Sequence, residues 1–290
     1  MTQLQAFIQV YLYQIESLIN SDPKLLDGVS FQSEEANTDS ELKEFFKTFI
    51  LANNSLTEEY LFNVEIIGVD KVAVLYAKED LCKYKIERVY LPSELTNEHK
   101  VIIKSEKRGV YTNPDIFILV SDGSEHKYVS SELKSTKSDK IPGSSVQQVS
   151  PYEWVIFVQH MKEVFRVTTG QYLNSITSVL PFPDRSPRPQ IGFNILDGWN
   201  SRNRVVDKEK LTIDYSKDDN TSKLSILENW HGFLVNEWLT TVCDKDVSDN
   251  EKWFNHTIRL YSLALVEHYN SLSDEARVEF VKRLIEKTKL

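Results

Sequence analysis

Pro114-Asp115-Ile116-Phe117-Ile118-Leu119-Val120-Ser121-Asp122-Gly123-Ser124-Glu125-His126-Lys127-Tyr128-Val129-Ser130-Ser131-Glu132-Leu133-Lys134 is the most informative segment of this chain. Residues 116–120 form an apolar run rich in β-formers and read as a strand; residues 127–130 read as its return. Between them stands Asp122-Gly123, the pair favoured at the centre of a two-residue hairpin turn. With that turn, Ser121 opposes Ser124, Asp115 opposes Ser130, and Glu132 lies one diagonal step further. Alternation then puts Asp115, Ser130, Glu132 and Lys134 on one face and Ile116, Ile118, Val120, Val129 and Leu133 on the other. A four-residue loop keeps this parity, whereas a three- or five-residue loop turns one strand over.

The polar face has a recognisable chemistry. Diagonal neighbours on a sheet lie about 7–8 Å apart, close enough for two carboxylates to reach one cation. Mg2+ takes hard oxygen ligands, often one or two carboxylates, and keeps its other positions for water and phosphate. Asp115 and Glu132 suit that role, with the backbone carbonyl of Leu133 as a further ligand. Lys134 is then placed to orient or deprotonate a water for in-line attack on phosphorus and to stabilise the charge that develops.

Pro114-Asp115 followed by Glu132-Leu133-Lys134 resembles the PD-(D/E)XK nuclease superfamily, which holds most type II restriction endonucleases. The resemblance runs roughly over residues 104–167. It implies an α/β fold, a restriction-endonuclease-like mixed β-sheet flanked by helices, and Mg2+ as cofactor. Asp115 and Glu132 are then the metal ligands and Lys134 the catalytic lysine. Pro142-Gly143-Ser144-Ser145 reads as the start of a helix carrying Gln147 and Gln148. Gln148 and Tyr152 match a QxxxY element that some members place after the lysine, although Pro151 interrupts it. Members often take another acid from an earlier helix; Glu44 is the candidate, with Glu41 as its alternative.

The 290 residues suffice for one large domain with a sizeable core: a catalytic core over about 96–167, DNA-recognition loops over about 181–215 and helices over about 224–290. Residues 1–20 read as an amphipathic helix with Leu4, Ile8, Tyr11, Leu12, Ile15, Leu18 and Ile19 on one face, and 41–51 as a second. Segments 60–67, 72–77, 84–91, 101–104 and 154–158 read as strands. Helices are expected at 224–242, with Leu227, Trp230, Leu234 and Trp238 on one face, at 253–269, and at 274–287 behind an N-cap at Ser273. These C-terminal helices pack as core or form a dimer interface.

The formal net charge of −9 argues mildly against nucleic acid, but basic residues cluster near the proposed site. Lys137 and Lys140 follow the second acid. Arg185 and Arg188 lie in a proline-rich stretch, and Asn200, Arg202, Asn203 and Arg204 follow Gly198; these residue types contact base edges and phosphates. Cys82 and Cys243 match no zinc or redox spacing, and no apolar run approaches the roughly 18 residues needed to span a bilayer. A cytoplasmic location is expected. There is no phosphate loop, HExxH or GxSxG motif.

The expected activity is that of a Mg2+-dependent type II restriction endonuclease on double-stranded DNA, working as a homodimer beside a cognate DNA methyltransferase. The alternatives are a structure-specific or repair nuclease of the same superfamily, or a non-catalytic DNA- or protein-binding module.

Overall fold

The structure, a computed structural model, describes residues 1–31, 40–106, 114–146, 148–161, 164–177, 188–218, 220–247, 251 and 253–288. Where the sequence reading has one domain, the chain forms two compact units, Met1–Glu228 and Asn229–Leu290. The architecture is mixed α/β.

The first unit opens with α1 (Gln3–Ser21) and α2 (Ser40–Ala52). Helix α1 is more than amphipathic, since every residue from Ala6 to Leu12 is buried. It is walled in by polar ties as well as apolar contacts. Tyr11 donates to the Ile50 carbonyl of α2, and Gln14 bridges Ser55 and Thr57.

Next come β1 (Asn63–Ile67), β2 (Ala73–Tyr76), the single turn α3 (Lys78–Leu81) and β3 (Lys85–Tyr90). Then follows α4 (Asn97–Glu106). The strand expected at 101–104 is therefore helix. Thr96 caps it, accepting from the His99 N–H, and Glu98 and Lys104 complement its ends. Of its apolar run only Ile103 is buried, where it packs with Leu95 and Phe117.

The hairpin is β4 (Ile116–Ser121) and β5 (His126–Thr136). Next are β6 (Lys140–Pro142), β7 (Trp154–Met161) and β8 (Val164–Gln171). One five-stranded mixed sheet has the order β3-β4-β5-β7-β8, with β5 and β7 parallel and the other pairs antiparallel. Helix α1 lies across β8, where Asn20 brackets Val167 and Glu16 accepts from Thr169. Ile116, Ile118, Val120, Leu133, Ile156 and Val158 share its hydrophobic core.

The connection from β5 to β7 departs from expectation. Between residues 143 and 153 the described backbone makes turns rather than a helix, with Gln148 and Val149 both donating to the Ser145 carbonyl. Pro142 and Pro151 bound the segment, which is too short to nucleate a stable helix between two such breakers. Gln147 lies outside the described residues.

After the short helix α5 (Tyr172–Ser175), β9 (Gln190–Gly192) pairs with β6, and α6 (Phe193–Asn203) leads into β10 (Arg204–Asp207) and β11 (Lys210–Asp214). Strand β11 pairs in parallel with β1, completing a second sheet of order β10-β11-β1-β2. The segment expected as recognition loops is thus largely built into the scaffold. Phe193, Leu196, Trp199, Asn200 and Asn203 are buried at helical spacing, a pattern that Gly198 and the neighbouring Asn and Ser residues disguise. Helix α7 (Thr221–Glu228) ends this unit.

The second unit holds α8 (Trp230–Cys243), α9 (Trp253–Ser271) and α10 (Asp274–Thr288). The single helix expected at 224–242 is broken at Asn229, whose backbone is not helical. Ser273 caps α10 as expected, accepting from the Ala276 N–H at 3.3 Å.

Candidate active site

Site geometry follows from the hairpin register. Ser121 pairs with His126 and Ile116 with Ser131, so the loop has four residues, 122–125, rather than two. Asp122 is its organiser: its carboxylate accepts from the Ser124 N–H, the Ser124 hydroxyl and the Glu125 N–H at 2.7–2.9 Å. Those bonds hold its pKa down to about 2. Gly123 takes the left-handed conformation, φ 91°, that the turn requires.

The longer loop preserves strand parity and shifts the register. The paired ladder ends at Ile116–Ser131, and continuing it by one residue brings Asp115 to the level of Glu132 rather than of Ser130. Residues opposed in this way have Cβ atoms about 4.5–5.5 Å apart, closer than the diagonal arrangement. Both carboxylates are buried.

Each carboxylate is matched by a lysine. Lys134 Nζ donates to Glu132 Oε1 at 2.8 Å. Lys43 Nζ, from α2, stands 2.6 Å from Asp115 Oδ1, and the Leu133 N–H donates to Asp115 Oδ2 at 2.9 Å. The four side chains form a charge-balanced group between an early helix and the hairpin.

The early helix therefore contributes a lysine where an acid was expected. Glu44 is exposed, with Lys47 Nζ 3.9 Å from its carboxylate, and Glu41 accepts from the Ser30 N–H. The missed Lys43 carried one signal: it stands in the same Glu-Leu-Lys-Glu segment, in a helix whose Leu42 and Phe46 are buried.

A second layer steadies Glu132. The Ser144 hydroxyl donates to Glu132 Oε1. Ser144 itself is held by Tyr172, whose Oη accepts from the Ser144 N–H at 2.9 Å. The phenol is fully buried, and burial, with Glu132 nearby, pushes its pKa far above the usual tyrosine range. Gly143 makes room for it: a Cβ there would collide with the Tyr172 hydroxyl and stand 2.7 Å from the Pro189 carbonyl oxygen. On the same face as Glu132, Ser130 donates to the buried carboxylate of Glu153.

The remaining candidates scatter. Gln148 and Tyr152 are exposed in the turn segment. Lys137 and Lys140 are exposed beyond the site. Arg188 is exposed, and its charge is felt at the Tyr172 hydroxyl. Arg185 lies outside the described residues. Asn200 is buried and donates to Thr168 and Thr169, and Asn203 is buried against Asp218. Arg204 forms a two-pronged ion pair with Glu16 and lies over the Tyr13 ring at 4.6 Å. Those three support the scaffold; Arg202, in the last turn of α6, is exposed.

The donor set fits a hard divalent cation in type: two buried carboxylates at one end of the β4–β5 hairpin. Among the described residues no group of three or more His, Cys, Asp or Glu side chains is placed to hold a metal. No helix among the described residues is long and apolar enough to cross a membrane. The chain matches no protein-family model, no curated protein and no solved structure.

Proposed function

We propose that this protein is a Mg2+-dependent endodeoxyribonuclease of the PD-(D/E)XK kind, with a restriction-endonuclease-like core, cutting double-stranded DNA at a specific site. The observation that carries this reading is that Asp115, one residue before β4, accepts from the Leu133 N–H of β5 next to buried Glu132, to which Lys134 donates. Mg2+ held by Asp115, Glu132 and the Leu133 carbonyl would supply Lewis-acid polarisation of a phosphoryl oxygen and of the attacking water.

The chain's own groups set the stage for that chemistry. The Leu133 N–H fixes Asp115 Oδ2 and leaves Oδ1 to exchange Lys43 for another cation. Ser144 anchors one oxygen of Glu132. Lys134, once its pairing with Glu132 is shared with a metal, presents an ammonium to a phosphate lying over the two acids and stabilises the charge gained there. Exposed Arg188, Lys137 and Arg202 are the basic residues suited to hold the DNA backbone. A cytoplasmic, homodimeric enzyme acting beside a methyltransferase of the same specificity is consistent with this reading.

One observation favours a second reading, a non-catalytic binding module: both carboxylates already have lysine partners, so the group is neutral as it stands. Digestion of unmethylated plasmid and phage DNA, with Mg2+ and with EDTA, separates the two. A restriction enzyme yields discrete Mg2+-dependent fragments that disappear in Lys134→Ala; a repair nuclease yields nicks or a smear; a binding module yields no cleavage.

A further inference from the structure

The two oxygens of Glu132 are not equivalent. Lys134 Nζ donates to Oε1 at 2.8 Å, and the Ser144 hydroxyl donates to the same oxygen. Among the described residues Oε2 takes no hydrogen bond, although only 8 % of the side chain is exposed. A carboxylate oxygen withdrawn from water without a donor is unfavourable, so Oε2 is the position with most to gain from a cation.

The two donors at Oε1 differ in charge. An ammonium beside Glu132 repels a divalent cation arriving at Oε2 and, on the nuclease reading, turns to the phosphate. A hydroxyl carries no net charge and stays. Ser144 is then the group that restrains the carboxylate of a long side chain whose rotamer freedom otherwise opposes a single bound geometry.

Ser144 is itself held by Tyr172. The Ser144 N–H donates to Tyr172 Oη at 2.9 Å, and the same phenol oxygen stands 3.4 Å from the Ser144 carbonyl oxygen. The preceding residue is fixed as well: the Gly143 N–H donates to the Pro189 carbonyl at 2.8 Å, beside the pairing of Pro142 with Gln190. Tyr172 is fully buried, and its own N–H donates to the Glu153 carbonyl at 2.8 Å. The phenol therefore places the backbone of Ser144, and the side chain of Ser144 places Glu132.

We propose that Glu132 takes a divalent cation through Oε2, and that Tyr172 is a positioning residue that sets the affinity for that cation by holding Ser144 against Oε1. This rests on the reading of Asp115 and Glu132 as metal ligands. Tyr172 acts only through Ser144, and a residue placed behind a ligand in this way typically controls metal affinity by about 10–100-fold.

Calorimetric titration of the full chain with Mn2+ tests it, using wild type, Tyr172→Phe, Ser144→Ala, the double variant Tyr172→Phe/Ser144→Ala and Glu132→Gln. Ser144→Ala is expected to weaken Mn2+ binding by about tenfold or more, and Tyr172→Phe to weaken it in the same direction. The double variant is expected to bind as Ser144→Ala does, because the two residues act in series. A phenol that merely supports the fold would instead add its own loss to that of Ser144→Ala. Ser144 is half-buried, so Ser144→Ala reads the relay even if Tyr172→Phe does not fold. Wild-type affinity in Ser144→Ala or in Tyr172→Phe overturns the proposal, as does an additive loss in the double variant. Wild type binding Mn2+ no better than Glu132→Gln removes Glu132 as a ligand and takes the nuclease site with it, a failure visible without the Ser144 and Tyr172 variants.

Discussion

Lys43 Nζ stands 2.6 Å from Asp115 Oδ1, an ion pair between an early helix and the residue that leads into the hairpin. The ammonium satisfies the carboxylate oxygen that a divalent cation needs, so metal and lysine compete. Lys43→Met is therefore expected to tighten Mn2+ binding, measured by calorimetry, by about tenfold, the equivalent of roughly 1.4 kcal/mol for a partly buried charge-assisted pair. Unchanged or weaker binding would show that Lys43 does not compete for that position.

The Gly143–Tyr172 contact leads to a coupled prediction. Gly143→Ala forces the new methyl into the Tyr172 hydroxyl and the Pro189 carbonyl, and a strained insertion of this kind costs about 1–3 kcal/mol. Tyr172→Phe removes one of the two obstacles. In urea titrations the double variant should lose less stability than the sum of the single variants; strict additivity would contradict the contact.

Arg204 provides a contrast between scaffold and DNA contact. Its pairing with Glu16 is nearly enclosed, and Glu16 also accepts from the Thr169 N–H and hydroxyl. Removing one partner of such a pair leaves an uncompensated charge, at a cost of about 3–5 kcal/mol. Glu16→Ala and Arg204→Ala should each lower the unfolding free energy, measured by urea titration, by that much. A stable Arg204→Ala protein with altered DNA preference would return this residue to base reading.

His160 makes the stability depend on pH below neutrality. His160 is buried, its ring stacked on Phe31 at 4.1 Å, and burial, with Lys137 adding to it, lowers its pKa from 6.5. The unfolded chain therefore takes up its proton first as pH falls. The stability contributed is fully present above pH 6.5 and is lost on acidification towards the lower folded value. His160→Phe should flatten that part of the stability profile; an identical slope in the variant would remove His160 as its source.

How much of this was legible in the sequence depends on the range of the interaction. The two faces of the hairpin follow from alternation alone, which is why Asp115, Glu132 and Lys134 fall together despite a misjudged turn. The register was not legible, because Asp122 organises a four-residue loop through its side chain, whereas the Asp-Gly pair pointed to a two-residue turn. Lys43 was out of reach for a different reason: its meeting with Asp115 depends on how α2 docks, and no local pattern encodes that. Asn200, Asn203 and Arg204 looked like loop residues because Gly198 masks a helical burial pattern. The pairing of β11 with β1 joins distant parts of the chain, which periodicity cannot show. Val101-Ile102-Ile103 favoured a strand by propensity, and the Thr96 cap overrode it.

The central claim is that Asp115 and Glu132 hold the cation for phosphodiester cleavage, and the most direct test measures binding and cleavage of one DNA fragment by wild type, Asp115→Asn and Glu132→Gln. Removing a carboxylate charge lessens repulsion of the phosphate backbone, so both variants should bind as tightly as wild type or more tightly and should not cut in Mg2+. Cleavage at the wild-type rate by either variant, or no cleavage by the wild type on several unmethylated DNAs, would contradict the account.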